Sequence, residues 1–186
     1  MASVLKVDTL RDTSGNAHSF GKVVQIVDVY NTDYISQSFS ANSRGNMTNM
    51  NATITPTSST SKVLIQVRWL GEFSWNDASW NGTFGLKRGS TIIGNPASTG
   101  STNDVNKGIM GGLLSYHAGD ANSTLEYTIF DYLDSPSTTS ATTYYTTFGA
   151  QSSTTVKSGG VYNWNTGRTT SYERGTYGIR LWEISA

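Results

Sequence analysis

Two polar tracts of the chain combine tryptophan with amide or carboxylate side chains. Sites for sugars often pair an aromatic ring, which packs on the C–H face of the sugar, with polar groups that bind its hydroxyls. The residues that follow this pattern are Trp75, Asn76, Asp77, Trp80, Asn163 and Trp164. They are the candidate ligand-binding residues, and a glycan is the ligand that suits their chemistry.

The tryptophans also have a purely structural interpretation. Large aromatic side chains are usually buried, so these rings are expected either to cap the end of a β-sandwich or to pack between subunits. We favour packing over ligand binding. The two interpretations differ in whether loss of the Trp80 ring removes binding or removes the folded oligomer.

Other groups that commonly do chemistry are sparse. His18 and His117 are far apart in the sequence, and neither has metal-ligand spacing. No nucleophile elbow and no phosphate-binding glycine loop occurs. Four acids fall in predicted loops, where turn formation explains them better than a glycosidase carboxylate pair. These acids are Asp77, Asp104, Asp120 and Asp134. We therefore expect no enzyme, no metal site and no cofactor.

Composition limits the class of protein further. The 186 residues include 13 Lys and Arg against 13 Asp and Glu, so no net positive field favours nucleic acid or an anionic membrane. The absence of cysteine excludes disulfides and thiolate sites. No apolar run of ten residues follows the N-terminus, so we expect neither a secretory signal nor membrane insertion. The 21 aromatic residues favour a folded core over disorder.

The strongest secondary-structure signal lies in residues 62–69. Val63, Ile65, Val67 and Trp69 alternate with Lys62, Gln66 and Arg68, which predicts a half-buried β-strand. The preceding tract 56–61, a proline followed by threonine and serine, predicts a polar connection that cannot bury itself.

The rest of the chain repeats short β-branched or aromatic runs between turn-forming clusters. Further strands are predicted at residues 23–30, 47–55, 82–88, 91–93, 109–116, 124–133, 142–150 and 177–184. Residues 156–168 form a glycine-flanked segment that carries Tyr162 and Trp164. Residues 31–45 predict a long loop with some strand character. Since no helical period occurs, we expect an all-β, antiparallel, jelly-roll-like β-sandwich.

Two features of this pattern indicate partners. Residues 1–21 predict a short extended segment without a core of its own, which must dock on the sandwich of residues 22–186 or on another chain. Its apolar residues are Val4, Leu5, Val7 and Leu10. Residues 23–30 are apolar on both faces, which predicts a strand covered on each side. Copies of the same chain would supply the second cover.

Several tracts resemble those of tailed-bacteriophage fibre proteins. Residues 4–10, Val-Leu-Lys-Val-Asp-Thr-Leu, followed by Thr-Ser-Gly-Asn at 13–16, are similar to the N-terminal signature of that family. The tract 54–65, Ile-Thr-Pro-Thr-Ser-Ser-Thr-Ser-Lys-Val-Leu-Ile, looks like its tip domain. Other matching tracts are residues 85–91, 133–136, 142–144 and 179–184.

The resemblance implies a trimeric virion component whose β-sandwich forms a tip that contacts a host surface glycan or protein. The N-terminal segment would attach to another virion protein. The chain departs from long fibres because almost no shaft separates residue 21 from the sandwich. A capsid decoration protein or tail-accessory protein without a receptor therefore stays open. So does a free carbohydrate-binding module, for which the chain would be monomeric.

Overall fold

The chain folds into antiparallel β-structure. A computed structural model describes residues 21–73, 82–97, 107–111, 125–161 and 173–185. Within these ranges there are eleven β-strands and no helix. Every strand pair is antiparallel, so the prediction of an all-β antiparallel fold is confirmed.

In chain order the strands are β1 (Val23–Asn31), β2 (Ile35–Phe39), β3 (Ser43–Ile54), β4 (Lys62–Phe73), β5 (Thr83–Arg88), β6 (Thr91–Ile93), β7 (Met110–Gly111), β8 (Glu126–Asp134), β9 (Thr142–Ala150), β10 (Thr154–Ser158) and β11 (Tyr177–Ile184).

The strands form two sheets. The first has the order β1-β11-β4-β10-β2, with β8 on the other side of β4, and the second has the order β3-β9-β5-β6, with β7 also paired to β5. Without β2, β7 and β10, the remaining eight strands form two four-stranded sheets, β1-β11-β4-β8 and β3-β9-β5-β6. This is the strand order of a jelly roll, as predicted.

The core lies between the two sheets and is built on β4. Val63, Ile65, Val67 and Trp69 are at most 1% exposed, while Gln66 and Arg68 lie on the opposite, half-buried face, so the predicted alternation is confirmed. An aromatic cluster fills one end of this core, with ring centroids 4.9 to 6.0 Å apart. Its members are Trp69, Phe73, Phe84 and Phe148.

The prediction for residues 31–45 was wrong in part. Residues 31–45 contain β2 and the start of β3 rather than a long loop, because Ile35 and Phe39 turn inward while Ser36 and Ser38 face out. The serines dilute the apolar signal that a strand usually shows. The glycine-flanked segment 156–168 begins within β10, which ends at Ser158, where Gly159 takes a φ of +81°. Its remainder from residue 162 lies outside the described residues.

The two ends of the sandwich differ in what they carry. Lys22 lies beside Ser185 at one end, where the Ser185 N–H donates to the Lys22 carbonyl over 2.9 Å. The β3–β4, β5–β6 and β8–β9 connections lie at this same end, because Ile54 pairs with Thr142 and Val63 pairs with Asp134. We call it the entry end, since residue 21 leads into the sandwich there.

Phe84→Ala tests the aromatic cluster. Phe84 is fully buried against three other rings, so truncation leaves a cavity and should lower the free energy of unfolding by about 3–5 kcal/mol. Urea denaturation measures the change. Ile92→Ala is the control, because Ile92 is 38% exposed and should change stability by only about 0.5 kcal/mol. Equal losses in the two variants would contradict this account of the core.

Candidate interaction face

The sequence-predicted site residues lie outside the described part of the chain. This applies to both histidines, to the candidate ligand-binding residues and to the candidate attachment residues. They are His18, His117, Trp75, Asn76, Asp77, Trp80, Asn163, Trp164, Val4, Leu5, Val7 and Leu10. The structure does describe the residues that flank them.

The flanks of both tryptophan tracts lie at the end of the sandwich opposite the entry end. Phe73, which precedes the first tract, pairs with Val156. Gly160, which lies just before the second tract, forms a bridge with Arg174 just after it. The Gly159 N–H donates to the Leu70 carbonyl over 2.8 Å, which places this bridge beside the end of β4. The two tracts therefore leave and rejoin the sandwich at one shared end.

The described residues also carry a concentration of apolar groups on one surface. This surface, which we call the outer face, is the side of β1, β11, β4 and β8 that points away from the second sheet. Strand pairing aligns one apolar residue from each strand in a row straight across it. The row consists of Ile26, Trp182, Leu64 and Leu133.

Much of the outer face is exposed. Ile129 is 63% exposed, Tyr127 and Tyr30 are each 56% exposed, and Ile26 is 50% exposed. Isolated exposed apolar residues are ordinary, but an apolar row that crosses four strands is typical of an interaction surface. Residues 23–30 do form a strand, and Ile26 and Tyr30 of β1 face solvent in a single chain, so the second cover that was predicted for this strand would have to come from another chain and stays a prediction.

A polar row follows the apolar row across the same four strands. It consists of Asp28, Arg180, Gln66 and Asp131. Arg180 donates to Asp28 over 2.5 Å, and Arg68 donates to the same carboxylate over 3.4 Å. The hydrogen bond from Arg180 and the two positive charges outweigh partial burial and lower the pKa of Asp28. Two cations thus share one anion in the middle of the outer face.

Both arginines also pack on aromatic rings. The Arg68 guanidinium lies 5.5 Å from the centroid of Tyr30, and the Arg180 guanidinium lies 5.6 Å from that of Trp182. Such contacts orient the arginines across the sheet, because a ring face attracts a cation. The outer face therefore combines two oriented arginines and the carboxylates of Asp28 and Asp131 with apolar surface.

A buried carboxylate holds the β3–β4 connection at the entry end. Glu183 is fully buried and accepts hydrogen bonds from the Thr57 N–H and hydroxyl, each over 2.7 Å, and from the Gln25 amide over 2.6 Å. Burial alone would raise the pKa of Glu183, but these hydrogen bonds outweigh it and lower the pKa to about 2. The prediction that residues 56–61 cannot bury themselves is wrong only for Pro56 and Ser61, which are buried beside this anchor, while Thr57, Ser59 and Thr60 are exposed.

A second buried carboxylate links the two sheets at the entry end. Asp134 is 6% exposed and accepts two hydrogen bonds from Arg88, over 2.9 and 3.1 Å, and one from the Tyr144 hydroxyl over 2.7 Å. Burial and the hydrogen bond to Asp134 raise the pKa of Tyr144. Asp134 was predicted to lie in a loop, but it ends β8 and packs inward. Its role is structural, because every contact described here is internal.

An open cleft lies next to this cluster. Its volume is about 420 Å³, and Arg88, Tyr145 and several threonines line it, among them Thr142 and Thr143. Hydroxyls and one aromatic ring are groups that bind sugars. The cleft is the described feature that fits a carbohydrate.

Glu126 is a buried carboxyl group at the end opposite the entry end. It is 3% exposed, and its Oε2 has no hydrogen-bond partner. Burial, with a smaller contribution from the charge of Glu72, raises the pKa of Glu126 to about 8. Glu126 is thus largely protonated at neutral pH, in contrast to Glu183.

Comparison with known proteins leaves the family open. No protein-family model and no curated protein matches the chain. In the part of the chain that the structure describes, no cluster of three or more histidine, cysteine or acidic side chains could hold a metal ion. The same residues include no helix that is long and apolar enough to cross a membrane.

The sequence contained signals for some of these features. Glu183 occupies an inward position of the alternation in β11, opposite Val63, which marks a buried charge that needs donors. Tyr127, Ile129 and Leu133 occupy the outward positions of β8, which marks an apolar outer face. The rows across the sheet required the register between strands, which alternation within one strand does not give.

Glu126→Gln should remove one pH dependence of stability. Because the native pKa of about 8 exceeds the ordinary value of 4.5, the native state binds an extra proton between these values, and the free energy of unfolding falls as pH rises through them. The slope reaches about 1.4 kcal/mol per pH unit. The variant should match wild type near pH 4 and exceed it by a few kcal/mol above pH 8 in urea denaturation. Identical pH profiles would contradict the raised pKa.

Glu183→Gln should have the opposite profile. The lowered pKa of Glu183 means that the ionised group stabilises the fold above pH 4.5, and that this contribution is lost as pH falls towards 2. An amide cannot accept the same three charge-assisted hydrogen bonds, so the variant should lose about 2–4 kcal/mol at pH 7. Denaturation at pH 7 and pH 2 measures it. A loss of equal size at both pH values would show that packing, not charge, is responsible.

Proposed function

We propose that the protein is a non-enzymatic structural component of a bacteriophage virion, a trimeric tail fibre or fibre-like appendage whose β-sandwich contacts the host surface. The protein attaches to another virion protein through residues 1–21, and it uses no cofactor, metal or nucleic acid. The observation that carries the proposal is the exposed apolar outer face, which a single chain leaves in contact with water. Copies of the chain, assembled on a particle, cover it.

The positions of the family-like tracts support a structural role. The tract 54–65 contains Thr57, and the tract 179–184 contains its partner Glu183. Three further tracts contain Arg88, Asp134 and Tyr144, which form the second buried cluster. The tracts that resemble fibre proteins therefore meet in the internal contacts that close the entry end. Such contacts maintain a fold and require no catalytic activity.

The polarity of the sandwich supports attachment at one end and contact at the other. Residues 21 and 22 lead into the entry end, beside Ser185. The tracts with the candidate ligand-binding residues are flanked by described residues at the opposite end. A domain with this polarity holds the flanks of the two tryptophan tracts away from its point of attachment, as a fibre tip must.

Carbohydrate binding by a free module is a second candidate function. The cleft beside Arg88 and Tyr145 favours it, because hydroxyls and an aromatic ring line the same depression. This candidate needs no partner chain. It also gives residues 1–21 no role. Because a free module is monomeric and the proposed fibre is trimeric, the two functions differ in the mass of the protein in solution.

Light scattering of the purified protein, followed by imaging of an intact particle, tests the proposal. We expect the mass of three chains of 20.1 kDa each, and density that follows the symmetry of the tail. Removal of residues 1–21 should abolish incorporation into the particle while the sandwich stays folded. A mass near one chain would favour the carbohydrate-binding module. Density that follows the capsid lattice would identify a decoration protein, and release of reducing ends from host envelope polysaccharide would contradict the non-enzymatic role.

A further inference from the structure

The open cleft at the entry end lies where two connections of the sandwich meet. Its lining includes Gly89 of the β5–β6 turn, Pro136 and Thr138 of the β8–β9 connection, and Thr142 and Tyr145 of β9. The Gly89 N–H donates to the Thr143 carbonyl over 2.8 Å, which ties the turn to β9. The volume of about 420 Å³ lies within the roughly 300–1,000 Å³ of typical small-molecule sites. The cleft therefore has room for a small ligand.

Arg88 is the charged group of the cleft, and internal contacts fix its orientation. Only its Nη1 donates within the protein, to both oxygens of Asp134 and to the Ser135 carbonyl. Asp134 is itself held by the Tyr144 hydroxyl over 2.7 Å. Nε and Nη2 of Arg88 form no hydrogen bond with any described residue, and 32% of this side chain is exposed. The guanidinium is thus fixed at one nitrogen and keeps a free edge.

The free edge of Arg88 suits a carboxylate. The Nε–H and Nη2–H bonds of a guanidinium are parallel and match the two oxygens of a carboxylate, so both hydrogen bonds form at once. Arg88 and Asp134 neutralise each other, but Lys87 pairs with cleft-lining Tyr145 in the second sheet. Lys87 forms no ion pair among the described residues. These three charged groups therefore leave one positive charge to attract an anion.

The threonine hydroxyls of the cleft supply both an acceptor and a donor. The Thr142 hydroxyl donates to the Ser140 carbonyl over 3.0 Å, so its oxygen is left to accept. The Thr138 hydroxyl accepts from the Ser140 N–H over 3.0 Å, so its proton is left to donate. Tyr145 is half-buried and adds an aromatic ring. Sugar hydroxyls use both roles, and the C–H face of a sugar packs on a ring.

We propose that this cleft binds an acidic sugar, a monosaccharide unit that carries a carboxylate. Arg88 binds the carboxylate through its Nε–Nη2 edge, Thr138 and Thr142 bind sugar hydroxyls, and Tyr145 packs on the sugar ring. The inference rests on the second candidate function, carbohydrate binding, and names the class of sugar. It also places the site at the entry end, apart from the flanks of the tryptophan tracts.

Titration of the full chain with charged and neutral sugars tests the role of the carboxylate. Glucuronate and N-acetylneuraminate carry a carboxylate, whereas glucose is neutral. NMR chemical shifts report the affinity of each sugar. We expect at least one acidic sugar to bind about tenfold more tightly than glucose, because it forms charge-assisted hydrogen bonds with Arg88. Added salt should weaken binding of that sugar and leave glucose unchanged, since salt screens an exposed charge.

Two variants locate the site in the cleft. Arg88→Lys keeps the positive charge beside Asp134 but lacks the parallel N–H bonds, so it should weaken binding of the acidic sugar about tenfold and leave glucose unchanged. Tyr145→Ala leaves the Arg88–Asp134 pair in place and should weaken both kinds of sugar. Arg180→Lys is the matched control, because Arg180 also pairs with an aspartate and its side chain is 33% exposed, but it lies on the first sheet. Thermal unfolding confirms that each variant is folded.

The outcomes separate the acidic sugar from carbohydrate binding itself. Equal affinity for glucose and the acidic sugars, weakened by Tyr145→Ala, would keep carbohydrate binding and overturn the role of Arg88. Acidic-sugar binding that Tyr145→Ala leaves unchanged would overturn the cleft as the site. Acetate that binds as tightly as the acidic sugars would show a site for carboxylates in general, acidic peptides included, and overturn the sugar. Failure of every sugar to bind would overturn the second candidate function and the inference with it.

Discussion

The alternation of side chains along β4 is the constraint on which the fold depends. β4 pairs with β8 on one side and with β11 and β10 on the other, so it supports the whole first sheet. Its inward residues, from Val63 to Trp69, form the middle of the core, and its outward residues Leu64, Gln66 and Arg68 form the middle of the outer face. A shift of one residue in the register of β4 would exchange these two surfaces. Core and outer face are therefore two sides of one strand.

The sequence predicted much of this fold because β4, β9 and β11 follow simple rules. Most of their inward positions carry an apolar or aromatic side chain, with Thr146 and Glu183 among the exceptions, and the alternation is visible without any neighbour. β2 escaped prediction because its outward residues Ser36 and Ser38 resemble a loop. The hydrogen bonds to Glu183 could not be predicted for another reason. The residues that donate them, Gln25 and Thr57, are 158 and 126 positions away in the sequence. Such contacts depend on the strand order, which local patterns do not contain.

Less of the outer face and of the candidate site could be predicted. The apolar outward residues of β1 and β8 were visible in the sequence, but only the pairing through β11 and β4 shows that Ile26 and Leu133 belong to one row. The tryptophan tracts were chosen from residue types alone, and the structure bears on them only through their flanks. Glu126 and Glu183 illustrate the same limit, because two glutamates with identical chemistry differ in ionisation through the donors that surround them.

The place of β11 in the first sheet has a consequence for how the protein forms during translation. β11 lies between β1 and β4, yet it is synthesised after the other strands that the structure describes. Until the ribosome has released residues 177–184, β1 has no neighbour and one flank of β4 stays open. Completion of the first sheet must therefore wait for β11, as the many contacts between distant residues also require. During that interval a nascent chain exposes unpaired strand edges, and early stops that remove β11 should yield aggregates rather than a smaller folded domain.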